Sequence, residues 1–269
     1  MFSRRIGSIL SLTLLIGGLP WVADAQDRFD PPDRGKPQRT DDGGTRGDLL
    51  MFQPRDRGLP GRRDDGGTRG PQSCFSGNPP NLALLLPMTN VSVTTAAYPR
   101  FFWYVSQTNA KRARFDLFKV DPRSQLRTSV YSQSINLTGK PGVMSVTLPN
   151  TGNIQPLEVD RDYYWTVTIA CNPQEKLPRP QVTVDGWVQR VSLNEDETAQ
   201  LRQLTSRERL QFYAEKGLWG DLISSLADLR ACRPTDKNLS NSWESVLKSV
   251  NLNAIAPSPL LQAQCPKGN

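Results

Sequence analysis

Asp162-Tyr163-Tyr164-Trp165-Thr166-Val167-Thr168-Ile169-Ala170-Cys171 alternates large apolar with smaller or polar side chains over its whole length. On a β-strand, successive side chains point to opposite faces. Tyr163, Trp165, Val167, Ile169 and Cys171 therefore share one face, and Tyr164, Thr166, Thr168 and Ala170 share the other. The first set reads as a core stripe that ends in a cysteine.

Similar short runs flank it, separated by turn residues. They are Leu82 to Leu86, Phe101 to Ser106, Ala113 to Val120, Thr128 to Ile135, Val143 to Leu148 and Val182 to Val191. In the fifth of these, Met144, Val146 and Leu148 form the inward face. About seven strands in roughly 110 residues, with no convincing crossover helix, point to an immunoglobulin-like β-sandwich over residues 74–193.

The period changes after Asn194. Asn194-Glu195-Asp196-Glu197 and Thr205-Ser206-Arg207-Glu208 each place a capping residue three positions before a glutamate. Helices are predicted over Glu195 to Leu204 and Ser206 to Lys216. Leu210, Tyr213, Ala214 and Gly217 share a face of the second, and Gly217 either ends it or lets the next helix pack closely. Leu222, Leu226 and Leu229 mark a third helix; Trp243, Val246, Leu247 and Val250 mark a fourth. The chain thus reads as mainly β plus α, with a small helical domain at 194–256, possible tetratricopeptide-like hairpins, and a C-terminal tail at 257–269.

The N-terminal end has a different character. Arg4 and Arg5 precede an apolar run from Ile9 to Leu19, and Ala23-Asp24-Ala25 offers a cleavage site before Gln26. Residues 1–25 are read as a signal peptide, because the apolar run is about half the roughly 20 residues that span a bilayer. No later stretch approaches that length, so the mature chain is expected to carry no transmembrane segment and to be periplasmic or secreted.

Residues 26–73 are dominated by Gly, Pro, Arg and Asp and are expected to form a disordered arm. The arm contains a duplication. Residues 33–47 (DRGKPQRTDDGGTRG) and 56–70 (DRGLPGRRDDGGTRG) match at 12 of 15 positions. The shared DDGGTRG could present backbone N–H groups and Arg46 or Arg69 to an anion. Equally, it is a spacer enlarged by duplication.

The four cysteines allow three pairings. Cys74 with Cys171 and Cys232 with Cys265 is the pairing expected, since each bridge then stays within one proposed domain. The absence of Cys-x-x-Cys argues against a redox catalyst, and the wide spacing argues against a metal site.

Chemistry is further bounded by the complete absence of histidine, which removes serine-histidine and cysteine-histidine catalysis and histidine metal sites. No cofactor or metal is expected. Arg and Lys number 33 against 26 Asp and Glu, a formal +7. Loss of the leader takes away Arg4, Arg5 and Asp24, one net positive charge. That balance favours acidic surroundings, but with no basic block a nucleic-acid partner is not expected.

Phe101-Phe102-Trp103-Tyr104 is the most aromatic run. Phe101 and Trp103 point one way, Phe102 and Tyr104 the other. Either one pair is core and the second a platform for a sugar or peptide, or the opposite sheet and the helices cover both faces. Trp187, out of phase with Val184 and Val188, is another exposed or interdomain candidate. Glu158, Asp160 and Asp162 form the best acidic cluster, although they lie among turn-like residues.

A family resemblance rests on several of these segments together. They are Gly66-Gly67-Thr68-Arg69-Gly70 before Cys74, Thr94 to Val105, Tyr163-Tyr164-Trp165 leading to Cys171, Gly186 to Val191, Thr205 to Trp219, and Leu226 to Arg230. Over approximately Gly66 to Pro259 the chain resembles the cyanobacterial domain-of-unknown-function 928 family. The resemblance implies an exported cyanobacterial protein whose β and helical parts are inherited as one unit, and it implies no activity.

The functional expectation is an exported, non-enzymatic binding or assembly-support protein of the cell envelope, whose partner is an envelope protein or glycan. A glycan-binding module and a carboxylate-dependent glycoside hydrolase are the alternatives. The candidate contacts are Arg46, Arg69, Phe102, Tyr104, Trp187 and Trp219.

Overall fold

The computed structural model describes residues 50–54, 74–76, 80–171, 181–261 and 265. The expected leader and both repeats, with Arg46 and Arg69, lie outside the described residues.

Among the described residues, ten strands precede four helices. The strands are β1 (Phe75–Ser76), β2 (Leu82–Leu84), β3 (Val91–Thr94), β4 (Arg100–Val105), β5 (Gln107–Thr108), β6 (Arg112–Val120), β7 (Arg127–Asn136), β8 (Gly142–Thr147), β9 (Asp162–Ala170) and β10 (Gln181–Arg190). The helices are α1 (Glu195–Gln203), α2 (Ser206–Glu215), α3 (Trp219–Cys232) and α4 (Lys237–Ser249). The architecture is therefore mixed, with several sheets and a helical C-terminal part.

The strands form a five-stranded sheet in the order β3-β10-β9-β6-β7, a three-stranded sheet in the order β2-β4-β8, and the pair β1-β5. Pairing is antiparallel except for β3, which lies parallel to β10 with Val91 opposite Trp187. The alternating stretch is central. β9 is bonded to β10 on one side and β6 on the other, so its inward side chains meet neighbours along their whole length. Trp165, Val167 and Ile169 are fully buried as expected, and so are Met144 on β8 and Leu148 just past its end.

The two larger sheets meet through aromatic rings. Phe101 of β4 lies 4.9 Å from Phe115 of β6 and 5.1 Å from Trp165 of β9 between ring centroids, distances suited to aromatic packing. On the other side of β4, Phe102 borders a small interior space with Trp219 and Ile223 of α3. Both faces of the aromatic strand are covered, one by the larger sheet and one by a helix. The sheets and helices consequently share one hydrophobic cluster.

The helix starts follow the local code. Asn194 and Thr205 each accept a bond from the N–H three residues on, and the Glu197 and Glu208 carboxylates accept in turn from the capping residue's N–H. Gly217, at φ +62°, ends α2, one of its two expected roles. Past α4, the tail runs beside β8: Val143 donates to the Pro259 carbonyl at 2.8 Å and accepts from the Leu261 N–H at 2.7 Å. Such cover occupies part of a sheet edge that would otherwise expose unpaired backbone.

The disulfides join Cys74 to Cys171 and Cys232 to Cys265, the expected pairing. One part of the proposed arm is not loose. Leu50 and Phe52 are buried, with Phe52 edge-on to Trp219 at 4.8 Å. They lie in the apolar run Leu49-Leu50-Met51-Phe52, and burying them is what holds the segment down. Among the described residues, no helix is long and apolar enough to cross a membrane.

Candidate functional site: a polar cleft beside helix α3

The residues flagged for partner contact are largely interior. Phe102, Trp187 and Trp219 are buried, and Tyr104 is half-buried. Trp219 donates its indole N–H to the Leu85 carbonyl at 2.8 Å, so its polar edge is satisfied inside the fold. Trp187 packs against Tyr164 at 5.3 Å in a cluster of its own with Val120, and the Arg127 guanidinium lies over the Tyr164 ring. Strand phase gave the correct faces. Both faces are covered, which is the second of the two arrangements expected for the aromatic strand.

The acidic cluster also behaves as surface. Glu158 is ion-paired with Lys119 and Arg161, and Asp160 occupies a left-handed turn position at φ +58°. The Lys119 hydrogen bond holds the Glu158 carboxyl below the usual range.

A different constellation lines an open cleft of about 360 Å³ where α3 crosses the link between β3 and β4. Asp221, Ser224, Ser225 and Asp228 lie on its helix side. Residues at i, i+3, i+4 and i+7 share one helix face, so the stripe follows from spacing. Opposite are Thr94, Tyr98, Arg100 and Thr147.

The close crossing depends on Gly220. A Cβ there would meet the Thr94 Cβ at 2.8 Å and the Ser92 Oγ at 3.0 Å. Glycine lets the first turn of α3 rest against β3, which brings Asp221 within reach of the next residue. Asp221 accepts from the Thr95 N–H at 2.8 Å and from the Thr95 hydroxyl at 2.6 Å. Burial nevertheless raises its pKa, with these hydrogen bonds opposing the rise.

Asp228, two turns along, accepts from Arg100 Nη1 at 2.8 Å, and Arg100 Nε donates to the Ser145 Oγ at 2.9 Å. Burial raises the Asp228 pKa against the attraction of Arg100. The Arg100 guanidinium also lies 4.8 Å from the centre of the Phe102 ring. Arg190 braces the same link, donating to the carbonyls of Leu157 at 2.8 Å and Thr95 at 3.3 Å.

This arrangement presents hydroxyls, carboxylate oxygens and a guanidinium whose positions are fixed before any ligand arrives. Seven positions along a helix correspond to about 10.5 Å between the Cα atoms of Asp221 and Asp228. Neither Asp221 nor Asp228 was singled out from sequence; the available signal was the polar stripe Asp221, Ser224, Ser225, Asp228 within a helix whose other residues, Arg230 apart, are apolar or small. Among the described residues, no group of three or more Cys, Asp or Glu is placed to hold a metal ion.

The raised carboxyl of Asp221 has a measurable consequence. A carboxyl whose pKa rises on folding binds its proton more tightly in the folded state, so it contributes a loss of stability as pH climbs from the unfolded value through the folded one. Asp221→Asn removes that loss. Urea unfolding of both proteins from about pH 3.5 to 7 is expected to show the variant gaining relative to wild type as pH rises; a constant difference would mean that the Thr95 bonds cancel the burial effect.

No curated protein and no solved structure matches this chain. The family model described as Domain of Unknown Function (DUF928) matches residues 64–260, a span that holds the sheets, the four helices and every residue of the cleft, and the chain belongs to that family.

Proposed function

We propose that this protein is an exported, non-enzymatic binding or assembly-support protein of the cell envelope, and that the cleft beside α3 is its contact site for a glycan. The observation that carries the reading is the pinned, mixed-sign lining: Asp221 is held by Thr95, and Arg100 is held by Ser145 and Asp228. Fixed donors and acceptors around a half-buried tyrosine, Tyr98, suit a polyhydroxylated ligand, which needs both kinds of partner and an apolar ring face. The two carboxylates serve better as held acceptors than as a proton-shuttling pair.

Two disulfides fit an oxidising, non-cytoplasmic compartment. The reading adds the leader at 1–25, export to a periplasm or beyond, and a cyanobacterial source. It takes the facing sheets as an immunoglobulin-like sandwich and the helix pairs α2–α3 and α3–α4 as tetratricopeptide-like hairpins. Basic net charge favours an acidic envelope polymer.

The test is titration of the full mature chain with soluble envelope polysaccharides, comparing wild type with Tyr98→Ala and Asp228→Asn. At least a tenfold weaker association in both variants is expected. Equal binding by all three proteins, or none by any, sinks the cleft as a glycan site. Release of new reducing ends by wild type but not by Asp228→Asn would replace binding with glycoside hydrolysis, the alternative favoured by two raised carboxyls in one cleft.

A further inference from the structure

The segment Leu50-Met51-Phe52-Gln53-Pro54 makes a set of contacts that the cleft does not use. Leu50 and Phe52 are 7% and 6% exposed, whereas Met51 between them is 62% exposed. The in-out-in pattern is that of an extended peptide with two anchors at i and i+2.

Each helix around it supplies one part of a receiving groove. Trp219 at the start of α3 takes the Phe52 ring edge-on. The Ala214 carbonyl, in the last turn of α2, accepts from the Gln53 N–H at 3.2 Å. Ser249 at the end of α4 accepts from the Phe52 N–H at 3.3 Å while donating its hydroxyl to the Val246 carbonyl at 2.7 Å. The Ala214 carbonyl also accepts from the Gly217 N–H at 3.3 Å, so the segment shares an acceptor at the end of α2 and takes a side-chain acceptor at the end of α4.

We infer that the groove between α2, α3 and α4 is a peptide-recognition site for the Leu50–Phe52 segment, held by the chain's own copy and open to the same segment of a second copy. Three observations support this occupant. The anchors belong to the apolar run Leu49-Leu50-Met51-Phe52, which interrupts a stretch otherwise dominated by Gly, Pro, Arg and Asp. Recognition uses backbone N–H groups plus alternate side chains, the mode by which extended peptides are bound.

The third observation is reach. The 19 residues 55–73 separate the segment from Cys74, where the disulfide fixes the chain. At full extension that length is about 65 Å. A compact domain of about 200 residues has a radius of gyration near 16 Å, so the same segment can cross to a neighbouring copy. Exchange of an identical element forms a dimer at little cost because every contact is preserved. In a single molecule the tether favours the chain's own segment through effective concentration, which makes exchange depend on protein concentration.

The experiment uses the full mature chain and a fluorescent peptide spanning Asp48 to Pro54. The Leu50→Ala/Phe52→Ala variant, with an empty groove, is expected to bind the peptide saturably and at least tenfold more tightly than wild type does. Phe52→Leu, which keeps an apolar anchor and protects against loss of folding, is expected to fall between them. Sedimentation of wild type mixed with the double variant should show a mixed dimer that the double variant alone does not form. Failure of the peptide to bind both variants, or equal binding to all three proteins, overturns the recognition site. Peptide binding without a mixed dimer overturns the second copy as occupant and leaves the groove to the chain's own segment. None of these measurements involves the glycan cleft, so the two readings fail separately.

Discussion

Trp165→Ala is expected to cost about 3–5 kcal/mol of folding stability, the range for truncating a large buried aromatic residue. Trp165 is 1% exposed and sits where β9 meets the three-stranded sheet, with Phe101 at 5.1 Å and Phe115 at 5.9 Å. Removing the indole opens a cavity on both sides of that contact, and the paired backbone of β9 resists collapse into it. Its indole N–H is buried without a hydrogen-bond partner. Trp165→Phe therefore loses volume but no bond, and it should cost only about 1–2 kcal/mol. For a domain of this size each kcal/mol moves the melting temperature by about 2–4 °C, so scanning calorimetry separates the two variants. A phenylalanine variant as unstable as the alanine variant would show that the indole is held by something other than packing.

Cys74→Ser/Cys171→Ser is the second large change. The bridge closes a separation of 97 residues, for which loop-closure entropy gives about 4–5 kcal/mol. Cys232→Ser/Cys265→Ser, with a separation of 33, should lose about 3–4 kcal/mol on the same model. The longer bridge also fixes the start of β1. Nearby, the Cys74 carbonyl accepts from the Thr108 hydroxyl at 2.7 Å and the Asn109 N–H at 3.2 Å. Those bonds retain some order when the bridge is gone, so the measured loss should fall slightly below the entropic value. Urea midpoints for the two double variants test the ranking; a smaller loss from the longer bridge would mean that the unfolded chain is already compact around it.

The parts of the fold that were readable have local causes. β9 announced itself by alternation, α1 and α2 by capping boxes, and Gly217 by its place after an apolar helical face. The cysteine pairing followed from the change of period near residue 194. By contrast, β3 was not anticipated, because four residues give too little alternation and its parallel partner β10 begins 87 residues after β3 ends.

The cleft was hidden for the same reason. Asp221 meets Thr95 across 126 positions, and Asp228 meets Arg100 across 128. Spacing along α3 could place both acids on one face but could not say what that face would meet. Phe102 and Trp187 show the same limit from the other side: phase placed each opposite a core stripe but left open whether a second layer would cover it, and one does. Leu50 and Phe52 were not legible because the four-residue apolar run Leu49 to Phe52 is too short to carry a period.

Strand phase, helix starts and the number of cysteines were written in short stretches of this chain, since sterics and hydrogen bonding between near neighbours set them. Which faces became interior, where the carboxylates gathered, and what became of Leu50 and Phe52 were decided only when α3 packed against β3 and β4. Burial is a property of both surfaces in a contact, and only one of them is visible in any single stretch of sequence.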